Sequence, residues 1–210
     1  MRVQLPSHTL NANLGNRLKA TGRVPGNVEF MPERPFDVPS TGWSLLSNGP
    51  MGTVAGTTLN GQEFAIPFLP SFPVLKALAI DVSGAGSAGA AVRLGIRANV
   101  NGAPGALLAD AGSQATTSTG IISYTLGTPL ALGDDWLFYT VTFQGAPTTG
   151  ATVRTHTIGD PRFPIYGTGA PAANSGYWGY YQTGVTGALP AGFTPAGFTQ
   201  VPIRVFGQAN

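Results

Sequence analysis

From about residue 61, apolar and polar residues alternate along the chain in short runs. Similar alternation recurs at residues 64–68, 78–82, 122–126, 137–143 and 201–205. The longest run has apolar side chains at Val92, Leu94, Ile96, Ala98 and Val100. A period of two places successive side chains on opposite faces of a strand. The pattern therefore predicts half-buried strands, with the core positions Leu94, Ile96 and Tyr139 among them.

The dipeptides between these runs are typical of turns. Asn101-Gly102 follows the longest run and favours a tight hairpin turn. Asp134-Asp135 is predicted to form a second hairpin turn. The chain has 30 glycines and 18 prolines but only 10% charged residues, a composition typical of many short strands. We predict an all-β domain over 51–210, an antiparallel β-sandwich of jelly-roll type.

Residues 1–50 show no sustained period. Six prolines interrupt them, and proline removes an amide donor and disfavours helix in the residue before it. We predict an extended, proline-rich anchoring arm over 1–50. Its first 25 residues carry four positive charges and no negative ones. The apolar residues that could anchor such an arm on a partner are Leu5, Leu10, Leu14, Val24, Phe30, Phe36 and Trp43.

The glycines at 84, 86 and 89 spell G-x-G-x-x-G after an apolar stretch, as in a dinucleotide-binding turn. Asp110 even lies where a ribose-binding acid is expected. That fold requires an amphipathic helix after the glycines, whereas residues 92–100 have the period of a strand. Without a helix N-terminus there is no site for pyrophosphate. We therefore expect no nucleotide and no other cofactor.

Other chemistry has little support in the sequence. Two histidines, His8 and His156, and no cysteine could form at most a partial metal site with carboxylates. We expect no metal, no catalytic residues and no enzyme activity. A net charge of +2 gives a weak signal for nucleic acid, and no apolar run is long enough to span a membrane. The N-terminus has no apolar segment of the secretory type, so synthesis in a host cytoplasm is expected.

The richest candidate contact surface is the stretch SGYWGYYQTG. On a strand, Tyr177 and Tyr181 would share one face, and Trp178 and Tyr180 the other. Such aromatics suit a subunit interface or a sugar-stacking platform, and ordinary core packing would also account for them. Arg93 and Arg97 fall on the polar face of their strand, where we expect them to be solvated or to pair with a neighbouring subunit.

Residues 66–112 read IPFLPSFPVLKALAIDVSGAGSAGAAVRLGIRANVNGAPGALLADAG, and residues 129–145 read PLALGDDWLFYTVTFQG. Over roughly 63–145 this resembles a β-sandwich module of tailed-bacteriophage virion proteins, of the tail-fibre, minor tail or head-decoration type. The shared features are an aromatic-proline entry, a small-residue loop, an "RLGIYA"-like strand, an "NGxPGxLLxDxG" turn and a later "LxxGxYWLA"-like strand, for which this chain has DDWLFYT. Arg97 stands where that pattern usually has an aromatic residue. The matching positions are packing and turn residues, so the resemblance transfers no functional residue.

The resemblance implies a non-enzymatic virion component, commonly a symmetric oligomer. We expect a structural protein displayed on the particle, as a tail or baseplate appendage or as a capsid cement, with a homo-oligomer, a trimer favoured. Its partners would be other capsid or tail proteins. The alternative is a lectin-like module that recognises a host surface glycan near Tyr177–Tyr181.

Overall fold

The computed structural model describes residues 42–46, 51–55, 59–156, 179–199 and 203–209, with the backbone alone for 51–55 and for His156. The described part of the chain is built of strands and contains no α-helix. The strands are β1 (Gly42–Leu45), β2 (Met51–Ala55), β3 (Gln62–Phe68), β4 (Val74–Gly84), β5 (Ala91–Val100), β6 (Ala103–Ala115), β7 (Gly120–Ala131), β8 (Leu137–Gln144), β9 (Thr152–His156), β10 (Gly179–Thr183), β11 (Gly197–Thr199) and β12 (Val205–Ala209).

Eight of these strands pair as a nested set. β2 pairs with β9, β3 with β8, β4 with β7 and β5 with β6, all antiparallel. Further pairing of β4 with β9 joins β2, β9, β4 and β7 into a first sheet. Pairing of β5 with β8 joins β3, β8, β5 and β6 into a second sheet. This nesting, a long hairpin folded over on itself, is a jelly roll. The predicted all-β sandwich is confirmed.

The remaining strands widen the two sheets. β1 and β12 extend the first sheet beside β4, and β10 and β11 extend the second sheet beside β3. All pairings between these strands are antiparallel.

The strand register explains the core. In the second sheet, Val141 of β8 stands between Phe64 of β3 and Leu94 of β5. Two residues along, Tyr139 stands between Ile66 and Ile96. All of these side chains are buried, and Leu94, Ile96 and Tyr139 are 0% exposed, as the sequence predicted.

The hydroxyl groups of two buried tyrosines in this core are hydrogen-bonded. The Tyr139 hydroxyl donates to the Ile203 carbonyl at 2.7 Å, and the Tyr124 hydroxyl donates to the Val92 carbonyl at 3.0 Å. Because each donor has an acceptor, the core gains aromatic area without an unsatisfied polar group. Burial raises the pKa of the Tyr124 hydroxyl.

The predicted turn at Asn101-Gly102 is present. Both residues have positive φ, 52° and 85°, and the flanking residues Val100 and Ala103 are paired across the hairpin. This is the two-residue turn that Asn-Gly favours, because both positions need left-handed backbone. The G-x-G-x-x-G segment instead connects β4 of the first sheet to β5 of the second. At Gly86 a Cβ would lie 2.9 Å from the Ala151 amide nitrogen, so close packing explains this glycine.

Two expectations about chain organisation are wrong. Asp134-Asp135 does not close a hairpin, because it joins β7 of the first sheet to β8 of the second. The predicted arm, 1–50, includes a strand of the sandwich, since Gly42–Leu45 pair with β12 and Leu46 lies in the core. Positions 1–41 and 47–50 of that arm lie outside the described residues. Every described residue belongs to one compact unit, Val38–Asn210.

Candidate functional site

The aromatic stretch is divided between the two faces of β10. Tyr177 and Trp178 lie outside the described residues. Tyr181 points to the core, with its ring centroid 6.5 Å from that of Phe64. Tyr180 lies on the outer face of the second sheet, and its hydroxyl donates to the Gly102 carbonyl at 3.1 Å. The expected opposite placement of Tyr180 and Tyr181 is therefore present.

Tyr180 belongs to a small outer aromatic cluster. Its ring centroid is 5.1 Å from that of Phe198 on β11 and 6.0 Å from that of Phe138 on β8. Tyr180 and Phe198 are half-buried, whereas Phe138 is buried. Partial burial raises the pKa of the Tyr180 hydroxyl. The cluster thus combines a covered aromatic base with two rings that are partly open to solvent.

Of the predicted arm anchors, only Trp43 falls within the described part of the chain. It lies on β1 opposite Gln208 of β12, and 44% of its surface is exposed. The other proposed anchors, Leu5, Leu10, Leu14, Val24, Phe30 and Phe36, lie outside the described residues. His8 also lies outside them, and of His156 only the backbone position, at the end of β9, is described.

The expectation for Arg97 is wrong: its side chain is 0% exposed. The guanidinium reaches across β8 and binds Glu63 of β3 in bidentate fashion, with Nε to Oε1 at 2.7 Å and Nη2 to Oε2 at 3.0 Å. Glu63 is also 0% exposed. A buried charge of either sign is costly unless it is paired and hydrogen-bonded, so the two residues depend on each other.

This ion pair fastens a segment of irregular backbone, residues 184–196, to the outer face of the second sheet. We call this segment the clasped loop. Arg97 Nη2 donates to the Pro190 carbonyl at 2.9 Å, and the Arg97 guanidinium lies 5.3 Å from the ring centroid of Phe193. Gln182 donates to Glu63 and accepts from the Thr194 amide at 2.8 Å. The loop is thus held at three places by one buried network.

A second ion pair holds the same loop. Asp110 of β6 accepts three hydrogen bonds from Arg93, at 2.7 to 3.0 Å, and one from the Gly112 amide at 2.9 Å. The Leu189 amide also donates to Asp110, at 3.4 Å. Burial alone would raise the pKa of the Asp110 carboxyl, but the bonds from Arg93 and the two amides outweigh it, so the pKa lies below its ordinary value of 3.8.

Apolar packing completes the contact between the clasped loop and the sheet. Leu189 of the loop is buried and sits over Gly95, where a Cβ atom would clash with it. Thr140 and Thr142 of β8 are 0% exposed on this outer face. The outer face of the second sheet is therefore a second, smaller buried layer, and the absence of a side chain at Gly95 lets the loop lie close.

A cavity of about 620 Å³ opens within the clasped loop. Its lining combines small residues with the polar residues Gln182, Thr183, Thr186 and Thr194. The lining has no charged side chain, and the nearby carboxylates of Glu63 and Asp110 are bound to arginines. Such a lining can offer hydrogen bonds to a neutral polar ligand, and its size is in the range of small-molecule sites.

Among the described residues, no three histidine, aspartate or glutamate side chains lie close enough together to hold a metal ion. The same residues include no helix with the length and apolarity to cross a membrane.

Sequence reasoning missed Glu63, Gln182 and the clasped loop. One signal was available: Glu63 is the single charge of β3, and β5 carries Arg93 and Arg97 with no acidic residue. Buried charges of opposite sign are expected to pair. The clasped loop has no hydrophobic period, so no pattern indicated that it covers a sheet. No model of a known protein family matches this chain, and no curated protein matches its sequence.

Proposed function

We propose that this chain is a non-enzymatic structural protein of a tailed-bacteriophage virion, displayed on the particle as a tail or baseplate appendage or as a capsid cement. One observation carries the proposal. The residues that resemble the virion module, 63–145, form strands β3 to β8, which make up six of the eight strands of the jelly roll. The resemblance therefore covers most of the jelly roll and does not depend on one short motif.

The use of charge in the described sandwich supports a structural role. The carboxylates of Glu63 and Asp110 accept hydrogen bonds from arginines, and Asp110 also accepts from main-chain amides. These bonds hold strands and a loop together. A general acid or base instead needs a carboxyl group that is free to exchange a proton with a substrate. Low charge and abundant small residues also suit large subunit interfaces, whose centres are depleted in charge.

In this proposal the segment before β1 attaches the sandwich to a neighbouring virion protein, and the sandwich associates with further copies, a trimer being favoured. The partly exposed Trp43 lies at the start of β1, next to that segment. Apolar anchors such as Phe30 and Phe36 would supply most of the affinity, because exposed charge pairs contribute little.

The test uses phage particles assembled without this chain. The full chain, added to such particles, should bind and co-sediment, and electron microscopy should show added density at symmetric positions. A chain starting at Val38, which keeps β1, should fold and fail to bind. A double variant Phe30→Ala and Phe36→Ala should bind more weakly. If neither the full chain nor any variant binds particles, the proposed function is wrong.

A second candidate function is recognition of a host surface glycan. The observation that favours it is the position of the half-buried Tyr180 on β10, two residues before Gln182, which lines the uncharged cavity together with three threonines. Aromatic rings stack on sugars, and hydroxyl and main-chain groups bond sugar hydroxyls. On a glycan array, Tyr180→Ala and Thr186→Ala should each abolish a signal given by the wild type. Unchanged array signals with weaker self-association of Trp178→Ala/Tyr180→Ala in sedimentation would instead assign these aromatics to a subunit interface.

A further inference from the structure

The turn between β5 and β6 exposes an asparagine directly before a glycine. Asn101 and Gly102 are both exposed at the end of the hairpin, with only two residues between the paired positions Val100 and Ala103. Asparagine is among the chemically labile residues. The glycine that follows offers its main-chain nitrogen without a side chain to obstruct it.

We propose that Asn101 is a site of spontaneous deamidation, and that the Asn99 side chain slows the reaction. In the first step the Gly102 nitrogen attacks the Asn101 side-chain carbonyl carbon. A carbon–nitrogen bond forms, the Gly102 nitrogen gives up its proton, and the side-chain nitrogen leaves as ammonia. Water then opens the resulting succinimide at either carbonyl, which gives aspartate or isoaspartate.

The protective contact is the bond from the Gly102 amide to Asn99 Oδ1, at 2.9 Å. This bond occupies the proton that the attacking nitrogen must lose, and it fixes the nitrogen within the turn. The attack therefore requires the bond to open. A single neutral hydrogen bond of this kind shifts an equilibrium about fivefold. Loss of the Asn99 acceptor should accelerate deamidation by about that factor.

The chain contains its own control, Asn60-Gly61. There the Gly61 amide donates to the Phe143 carbonyl at 2.8 Å, Gly61 is buried, and the Asn60 side-chain nitrogen donates to the Gly145 carbonyl at 2.6 Å. Both reacting groups are thus tied to the strand region of the sandwich. Asn60 shares its dipeptide with Asn101 and should react much more slowly.

Deamidation would alter the surface next to Tyr180, whose hydroxyl donates to the Gly102 carbonyl. Aspartate at position 101 adds a negative charge to the turn. Isoaspartate adds a carbon to the main chain, which a two-residue turn cannot accommodate without losing its pairing. The modification would therefore loosen the end of the hairpin from β10.

The experiment incubates the full chain at mildly alkaline pH and follows each asparagine by peptide mass spectrometry. Digestion with trypsin and chymotrypsin, followed by fragmentation, separates Asn99 from Asn101. We expect conversion of Asn101 to aspartate and isoaspartate, and much slower conversion of Asn60. Asn99→Ala should convert Asn101 about fivefold faster, and Asn99→Asp, which keeps an acceptor oxygen, should stay at or below the wild-type rate.

Two results would overturn the proposal. One is conversion of Asn101 no faster than that of Asn60 in the wild type, which would show that Asn101 is not a preferred site of deamidation. The other is an equal rate of Asn101 conversion in the wild type and in Asn99→Ala, which would show that the Asn99 side chain does not slow the reaction. If Asn99→Ala does not fold, the comparison of Asn101 with Asn60 in the wild type still decides whether the site exists, and Asn99→Asp with Asn99→Ser tests the acceptor.

Discussion

The Arg97 guanidinium has no contact with solvent and depends on protein acceptors alone. Replacing it removes the counter-charge of a carboxylate that is itself fully buried. We predict that Arg97→Met lowers the free energy of unfolding by about 3–5 kcal/mol, the usual cost of leaving one partner of a buried ion pair without its counter-charge. Urea unfolding followed by circular dichroism measures this difference.

Arg154 provides the matched control. Its side chain is 41% exposed and lies 3.7 Å from Asp81, so Arg154→Met should cost no more than about 1 kcal/mol. The double variant Glu63→Leu/Arg97→Met should recover much of the loss, because no uncompensated charge remains. Equal effects of Arg97→Met and Arg154→Met would mean that the buried pair does not hold this face together.

Asp110 should make stability depend on pH at the acid end. Its pKa is lower in the folded chain than its ordinary value of 3.8, chiefly because Arg93 and two amides outweigh the effect of burial. A depressed carboxyl pKa stabilises the fold above the unfolded pKa, and this contribution is lost as pH falls through the folded pKa. Asp110→Asn should therefore be less stable than wild type at neutral pH, and the difference should shrink below about pH 4. A constant difference across that range would contradict the assignment.

At the scale of elements, the clasped loop should depend on the space above Gly95. An added Cβ there would lie 2.8 Å from the Ala109 carbonyl oxygen and would clash with Leu189. We predict that Gly95→Ala destabilises the fold by about 1–3 kcal/mol, as overpacking does. Hydrogen exchange should rise in residues 184–196 before it rises in β8.

The control for this prediction is Gly127 on β7. A Cβ at that position meets nothing within 4 Å, so Gly127→Ala should leave stability equal or slightly raised and exchange in the clasped loop unchanged. If Gly95→Ala leaves the loop as protected as Gly127→Ala does, the loop is not seated on Gly95.

The elements also show where sequence reasoning succeeds. Strands β5 and β8 follow from their period of two, because each buries one face in the core, and the Asn101-Gly102 turn follows from its need for positive φ. Asp134-Asp135 was misassigned because a turn signal does not say which sheet the next strand joins. Arg97 was misassigned because the same period marks a polar face without telling whether a distant loop covers it. The 184–196 loop covers that face only through long-range contacts, which no local pattern encodes.

At the scale of the whole molecule, the start of the sandwich decides which truncations fold. Leu46 is 8% exposed in the core, and its amide donates to the Val205 carbonyl at 3.0 Å. We predict that a chain starting at Val38 unfolds cooperatively with the stability of the full chain. A chain starting at Met51 lacks β1 and Leu46, so it should lose at least the about 2–5 kcal/mol expected for removing a buried leucine.

Point variants in the full chain separate the strand from the segment that precedes it. Leu46→Ala should reproduce much of the loss seen on starting at Met51, whereas Trp43→Ala, at a side chain 44% exposed, should cost far less. The measurement is thermal and urea unfolding of the unmodified full chain, the two shortened chains and the two point variants under one condition. If the chain starting at Met51 is as stable as the one starting at Val38, β1 contributes nothing to the sandwich, and the arm extends to residue 50 as the proline pattern predicted. If the chain starting at Val38 is itself unstable, residues before it belong to the folded unit, and an attachment segment separable from the sandwich is excluded.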